Sequence, residues 1–110
     1  MAQTTKRIHL SDDDGNPTGR WFNPDTATKY EETSDHDGRN FISRATGSQW
    51  EHEALYRTAK GLWVLNRWSQ WQGSGESYSE ISPKAAAAWL VRCRIEPPEE
   101  LLKYVQESEV

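Results

Sequence analysis

Residues 55–68 constrain the fold of this chain more than any other segment. Two arms with the composition of β-strands flank Ala59-Lys60-Gly61, where the glycine suits the positive φ of a tight hairpin turn. Apolar side chains of the second arm fall on both faces of the strand: Leu62, Val64 and Trp68 on one, Trp63 and Leu65 on the other. A strand that is apolar on both faces is covered on both sides. The segment therefore predicts a central strand of an antiparallel sheet.

A cover for one face of that sheet follows in the sequence. Ser82-Pro83 is a typical helix start, because serine caps the first N–H groups and proline fits the first turn. Over residues 83–93 an apolar stripe recurs at helical spacing, formed by Ala86, Trp89, Leu90 and Cys93. Pro97-Pro98 ends this helix, and residues 99–106 predict a short second one.

The N-terminal half has weaker signals. Residues 7–23 predict a loose hairpin around the Asp12–Pro17 turn, and Asn23-Pro24 predicts the start of a short helix. Residues 33–40 read as a loop, and Phe41 to Arg44 as a further strand. Taken together, the pattern predicts an α+β fold: an antiparallel sheet of about four to six strands, one C-terminal helix packed on a face, and a second short helix.

The core must contain aromatic rings. Leu, Ile, Val and Phe make up only about 15% of the chain, below the usual share for a folded domain. Six Trp and four Tyr compensate, since each ring buries a large apolar area. We expect Tyr56, Trp63 and Trp89 in the core of a single domain spanning 1–110, with frayed ends at 1–6 and 107–110.

Compartment follows from two features. The single cysteine excludes an intrachain disulfide, which is typical of a reducing compartment. The polar N-terminus lacks the apolar stretch of a signal peptide, and no apolar run is long enough to span a bilayer. The expectation is a cytoplasmic protein with no membrane partner.

Catalytic and metal sites have only scattered candidates. His36 and His52 each stand between two acidic residues, but the HExxH, paired CxxC and calcium-loop patterns are missing from the sequence. Cys93 falls on the apolar stripe of the predicted helix, where a thiol acts as a small hydrophobe. We therefore predict no catalytic residue, no metal ligand and no cofactor, and keep a small metal-dependent hydrolase using His36 and His52 as an alternative.

A binding surface has better support. Although the net charge is −4, the middle of the chain is locally basic and rich in tryptophan. Tryptophan and arginine are enriched at interaction hot spots. Trp68 and Trp71 flank Ser69-Gln70 beside a Gly-Ser turn, where rings are harder to bury. The predicted contact group is Trp68, Trp71, Arg67, Arg57 and Lys60.

The function expected from these features is a non-catalytic module that engages a protein partner, or a second copy of itself, through an aromatic-plus-arginine sheet surface. The alternative is single-stranded nucleic-acid binding through the basic middle segment, with bases stacked on the rings. One weak internal echo remains: Gly19-Arg20-Trp21-Phe22 and Gly61-Leu62-Trp63-Val64 share glycine, tryptophan and an apolar residue at equal spacing. Four matched positions do not establish a repeat.

Overall fold

The computed structural model describes residues 6–70 and 75–110. Its elements within these ranges are β1 (Ile8–Ser11), β2 (Pro17–Phe22), β3 (Thr28–Glu31), β4 (Ser34–His36), β5 (Phe41–Ser43), β6 (Glu51–Arg57), β7 (Trp63–Ser69), β8 (Ser77–Ile81), α1 (Pro83–Arg92), a 3-10 turn (Glu99–Leu101) and α2 (Leu102–Glu107). The fold is α+β, as the sequence predicts.

The central sheet has four antiparallel strands in the order β3-β6-β7-β8. The predicted hairpin forms its middle: Tyr56 pairs with Val64, and Leu55 with Leu65. Because paired residues point to the same face, these two pairs mark opposite faces of the sheet. Both faces are buried here, which confirms the prediction of a covered central strand.

Helix α1 covers one face. Ser82 caps it by accepting a hydrogen bond from the Ala85 N–H at 3.1 Å. Its predicted stripe is fully buried and packs against three residues of the sheet, Leu55, Trp63 and Leu65. Trp63 and Trp89 are 2% and 1% exposed, so the predicted aromatic core is confirmed on this side.

The β1–β2 hairpin covers part of the other face. Leu10 and Phe22 pack on Tyr56 and Val64 in a second buried cluster. The rings of Phe22 and Tyr56 lie 5.2 Å apart between centroids, a tilted arrangement typical of buried aromatic pairs. This hairpin matters below because it forms one wall of a cleft.

Two predictions for the N-terminal half are wrong. Asn23 does accept a hydrogen bond from the Asp25 N–H at 2.9 Å, as a helix cap would, yet the chain makes only a turn there and enters β3 at Thr28. The β-branched Thr26 and Thr28 disfavour helix, and Tyr30 packs on the core instead. The predicted loop at 33–40 contains β4, which pairs with β5.

Within the described residues, no helix is long and apolar enough to cross a membrane.

Candidate functional site

The predicted contact residues lie on different parts of the central hairpin. Trp68 is near the open end of β7, opposite His52 in the register. It is half-buried, and its ring stacks on the His52 imidazole with 5.7 Å between centroids and 24° between planes. Trp71 lies outside the described residues. Trp68 therefore spends one ring face on a neighbour within the fold.

Both predicted arginines are paired with carboxylates. Arg67 lies on the opposite face of the sheet from Trp68, and its Nε donates to Glu53 Oε2 at 3.1 Å. Arg57 donates to both carboxylate oxygens of Glu100, which raises the pKa of its guanidinium. The charge of each is thus largely compensated within the fold.

Lys60 occupies the turn at the other end of the hairpin. In the register, the pair Arg57–Trp63 next to this turn is four positions from Glu53–Arg67, which corresponds to about 13 Å along the strands. The described members of the predicted group therefore do not form one patch. Lys60 alone borders an apolar cleft.

This cleft, about 380 Å³ in volume, lies between the β1–β2 hairpin and the β6–β7 turn. Its buried floor is formed by Leu10, Phe22 and Val64. Two of its walls are exposed apolar side chains, Trp21 at 46% and Leu62 at 38% of their surface. We name it the Trp21–Leu62 cleft. Its volume and apolar lining are within the range of ligand-binding pockets.

Local backbone geometry explains the exposure of Leu62. Gly61 has a φ of +83°, and the turn is closed by a hydrogen bond from the Thr58 N–H to the Leu62 carbonyl at 2.8 Å. The Thr58 hydroxyl accepts a further bond from the Leu62 N–H at 3.1 Å. These contacts fix Leu62 at the mouth of the cleft rather than in the core.

The two halves of the internal echo face this cleft from opposite sides. Gly19, like Gly61, has a positive φ, and the residues that follow each glycine line the cavity from β2 and from β7 respectively. The two tryptophans of the pattern differ in position: Trp21 is a wall of the cleft, whereas Trp63 is buried under α1. The pattern thus marks two structurally different strands around one cavity.

The rim of the cleft is charged. Arg20 Nη1 and Glu80 Oε1 form an ion pair at 2.9 Å. Lys60 is exposed, and within the described residues it takes part in no ion pair. The Arg7 guanidinium lies 4.9 Å from the centroid of the Trp21 ring. The end of the cleft next to Lys60 and Trp21 is therefore cationic.

A second cleft of about 540 Å³ continues from the first, sharing Leu10, Arg20, Leu62 and Glu80. Asp12 and Asp13 border its far side. The combined groove is cationic at one end and acidic at the other.

A separate polar cluster joins the β4–β5 hairpin to the sheet. The Glu32 carboxylate accepts hydrogen bonds from the Ser43 hydroxyl, from His52 Nδ1 and, at 3.2 Å, from the Glu53 N–H. His52 Nε2 is buried and has no hydrogen-bond partner among the described residues. No nucleophile is thus positioned on this imidazole, so we interpret the cluster as a structural connection between β5 and β6.

The other candidates for chemistry are apart from one another. His36 is exposed on β4, where its ring contacts Phe41 edge-on at 4.8 Å between centroids. Cys93 is fully buried, and burial raises the pKa of its thiol. In residues 6–70 and 75–110, no group of three or more His, Cys, Asp or Glu side chains is close enough to hold a metal ion.

Sequence reasoning missed Trp21 and Leu62. Each follows a glycine that stands before a strand or within it, and each alternates with a residue that the core buries. That signal was present in the echo, but the sequence alone did not show that the two segments face each other.

Comparisons with known proteins give no match: no protein-family model fits the chain, and no curated protein or solved structure is significantly similar to it.

Proposed function

We propose that this chain is a non-catalytic module that binds a protein partner through the Trp21–Leu62 cleft. The observation that carries the proposal is the exposure of Trp21 and Leu62 on either side of a cavity with a buried apolar floor. Tryptophan and arginine side chains around a desolvated pocket are the usual composition of a protein-interaction hot spot. The aromatic-plus-basic surface expected from the sequence is thus assigned to β2 and the β6–β7 turn, with Lys60 retained from the predicted group.

The charges of the described residues favour a protein over single-stranded nucleic acid. Three of the five basic residues in the middle segment are bonded to carboxylates, namely Arg44 to Asp35, Arg57 to Glu100 and Arg67 to Glu53. Phosphate binding needs cations that are available to displace counterions. A polyanion following the groove would also approach Asp12 and Asp13.

The proposal places this binding in the cytoplasm, on the single cysteine, which is a free buried thiol.

A second apolar groove provides a matched control. It lies between α1 and α2, has a volume of about 430 Å³, and includes Val91, whose side chain is 50% exposed. It has no tryptophan in its lining. A charge placed at Leu62 or at Val91 replaces an exposed aliphatic side chain in both cases, but only the first changes the proposed interface.

The test is quantitative co-purification from the native host with tagged wild type, Leu62→Asp and Val91→Asp. Circular dichroism melts first establish that both variants fold. The proposal expects a discrete protein that is retained by wild type and Val91→Asp and depleted at least about tenfold by Leu62→Asp. If Leu62→Asp retains every protein that wild type retains, the cleft is not the interface. A second copy of the chain as the depleted partner would identify the interaction as homodimerisation.

A further inference from the structure

We propose that the Trp21–Leu62 cleft takes an acidic linear segment, with an apolar side chain seated between Trp21 and Leu62 and a carboxylate on Lys60. This inference rests on the proposed function, because it specifies the partner chemistry of the same site.

The cavity itself selects the anchor. Leu10, Phe22 and Val64 form a floor that is at most 5% exposed, so a polar side chain placed there loses its hydration without a partner. The lining offers few side chains for hydrogen bonding, among them Asn23, Thr26 and Thr58 near the Lys60 end. A large aliphatic or aromatic side chain therefore fits best.

The rim selects the charge beside the anchor. Glu80 is already compensated by Arg20 at 2.9 Å, which leaves Lys60 at the mouth and Arg7 on the ring of Trp21. A carboxylate arriving there gains a charge-assisted hydrogen bond from Lys60. A basic side chain at the same position would be repelled by both cations.

The groove also gives the segment a direction. Because the second cleft shares Leu10, Arg20, Leu62 and Glu80 with the first, an extended chain passes from one to the other over Leu62. Asp12 and Asp13 lie at the far end. Acidic residues of the ligand are thus expected on the Lys60 side of the anchor and not on the other.

The experiment is selection of random dodecapeptides displayed on phage against the full chain, followed by sequencing. Selected peptides are then measured by fluorescence polarisation on wild type, Trp21→Ala, Lys60→Gln and Lys60→Glu, with Val91→Ala as the control. All variants are first checked for folding by circular dichroism.

The expected result is enrichment of Asp and Glu on one side of an apolar anchor. The affinity of such peptides falls about tenfold in Lys60→Gln, falls further in Lys60→Glu and in Trp21→Ala, and is unchanged in Val91→Ala. The Lys60→Gln loss also shrinks at high salt, because part of it is electrostatic.

Three results would overturn the inference. Peptides that need Trp21 but show no acidic enrichment would contradict the charge assignment and leave the proposed function standing. A selection without cleft-dependent peptides would exclude a linear ligand, while the co-purification still decides whether a folded partner binds. Tighter, Lys60-dependent binding of a labelled twelve-nucleotide single-stranded DNA would overturn both proposals in favour of nucleic acid.

Discussion

The indole Nε1 of Trp89 donates a hydrogen bond to Glu53 Oε1 at 3.1 Å, connecting α1 to β6. The same carboxylate accepts a bond from Arg67 at 3.1 Å. Glu53 is thereby held between the helix and the sheet, and the buried tryptophan makes a polar contact as well as an apolar one. This contact fixes how α1 lies on the central hairpin.

Trp89→Phe tests that contact. The substitution removes the indole N–H and leaves part of the cavity empty, so we expect a loss of about 2 kcal/mol in the free energy of unfolding. Urea denaturation followed by circular dichroism measures it. The matched control is Trp21→Phe, which changes an exposed tryptophan and should stay within about 0.5 kcal/mol of wild type. Equal effects of the two substitutions would contradict the assignment.

Gly61→Ala tests the turn that exposes Leu62. The φ of Gly61 is +83°, a conformation that alanine adopts at a cost of about 1 kcal/mol. A Cβ there would lie 3.5 Å from Arg57 Nη2, an ordinary contact, so the cost is one of backbone conformation. The expected outcome is a stability loss of about 1 kcal/mol by thermal denaturation. Gly75→Ala is the control: its φ is outside the positive region and its Cβ meets no atom within 4 Å, so no loss is expected.

The ion pair of Asp35 with Arg44 predicts a pH dependence in the β4–β5 hairpin. The hydrogen bond from Arg44 is the main cause that lowers the pKa of Asp35 below its ordinary 3.8. Because the folded-state pKa is the lower one, the pair stabilises the hairpin above pH 3.8, and this contribution is lost as the pH falls through the folded-state pKa.

An NMR titration of the Asp35 side-chain carboxyl carbon measures this directly. Arg44→Gln should move the midpoint of Asp35 upward, toward the ordinary value. Asp37 serves as an internal reference, because the backbone N–H groups of Asn40 and Arg39 are the main causes that lower its pKa. An Asp35 midpoint that does not respond to Arg44→Gln would show that the guanidinium is not its partner in solution.

Cys93 predicts a protected thiol. The side chain is fully buried, and burial raises its pKa, so the reactive thiolate is scarce and inaccessible in the native state. At pH 8 we expect labelling by Ellman's reagent to be at least about tenfold slower than in 8 M urea. Equal rates in buffer and in urea would mean that α1 does not cover the sheet at this position.

Local patterns were sufficient to predict the central hairpin and α1. The stripe Ala86, Trp89, Leu90 and Cys93 repeats at helical spacing next to a serine–proline start, and the alternation around Val64 indicates a strand covered on both sides. Both signals depend on neighbours in the sequence. The short helix at Asn23 failed because its β-branched residues and the pairing of Tyr30 with Leu55 outweigh the cap.

The binding site depended on contacts that are distant in sequence. Whether Trp68 is exposed is decided by its position opposite His52, and the register of β6 on β7 could not be read from either strand alone. Arg57 finds Glu100, which follows it by 43 positions. Trp21 becomes the wall of a cleft only because its hairpin packs beside the β6–β7 turn. Composition indicated that an aromatic-plus-basic surface was present, but tertiary structure decided which residues form it.

The most direct test of the central claim is photo-crosslinking from within the cleft. A photoreactive p-benzoylphenylalanine replaces Leu62 in one version of the chain and the exposed Val91 in another, and both are irradiated in the native host. The account predicts one discrete protein adduct from position 62, absent from position 91 and abolished when Lys60→Glu is added. Identical adducts from the two positions, or an adduct to nucleic acid from position 62, would contradict it.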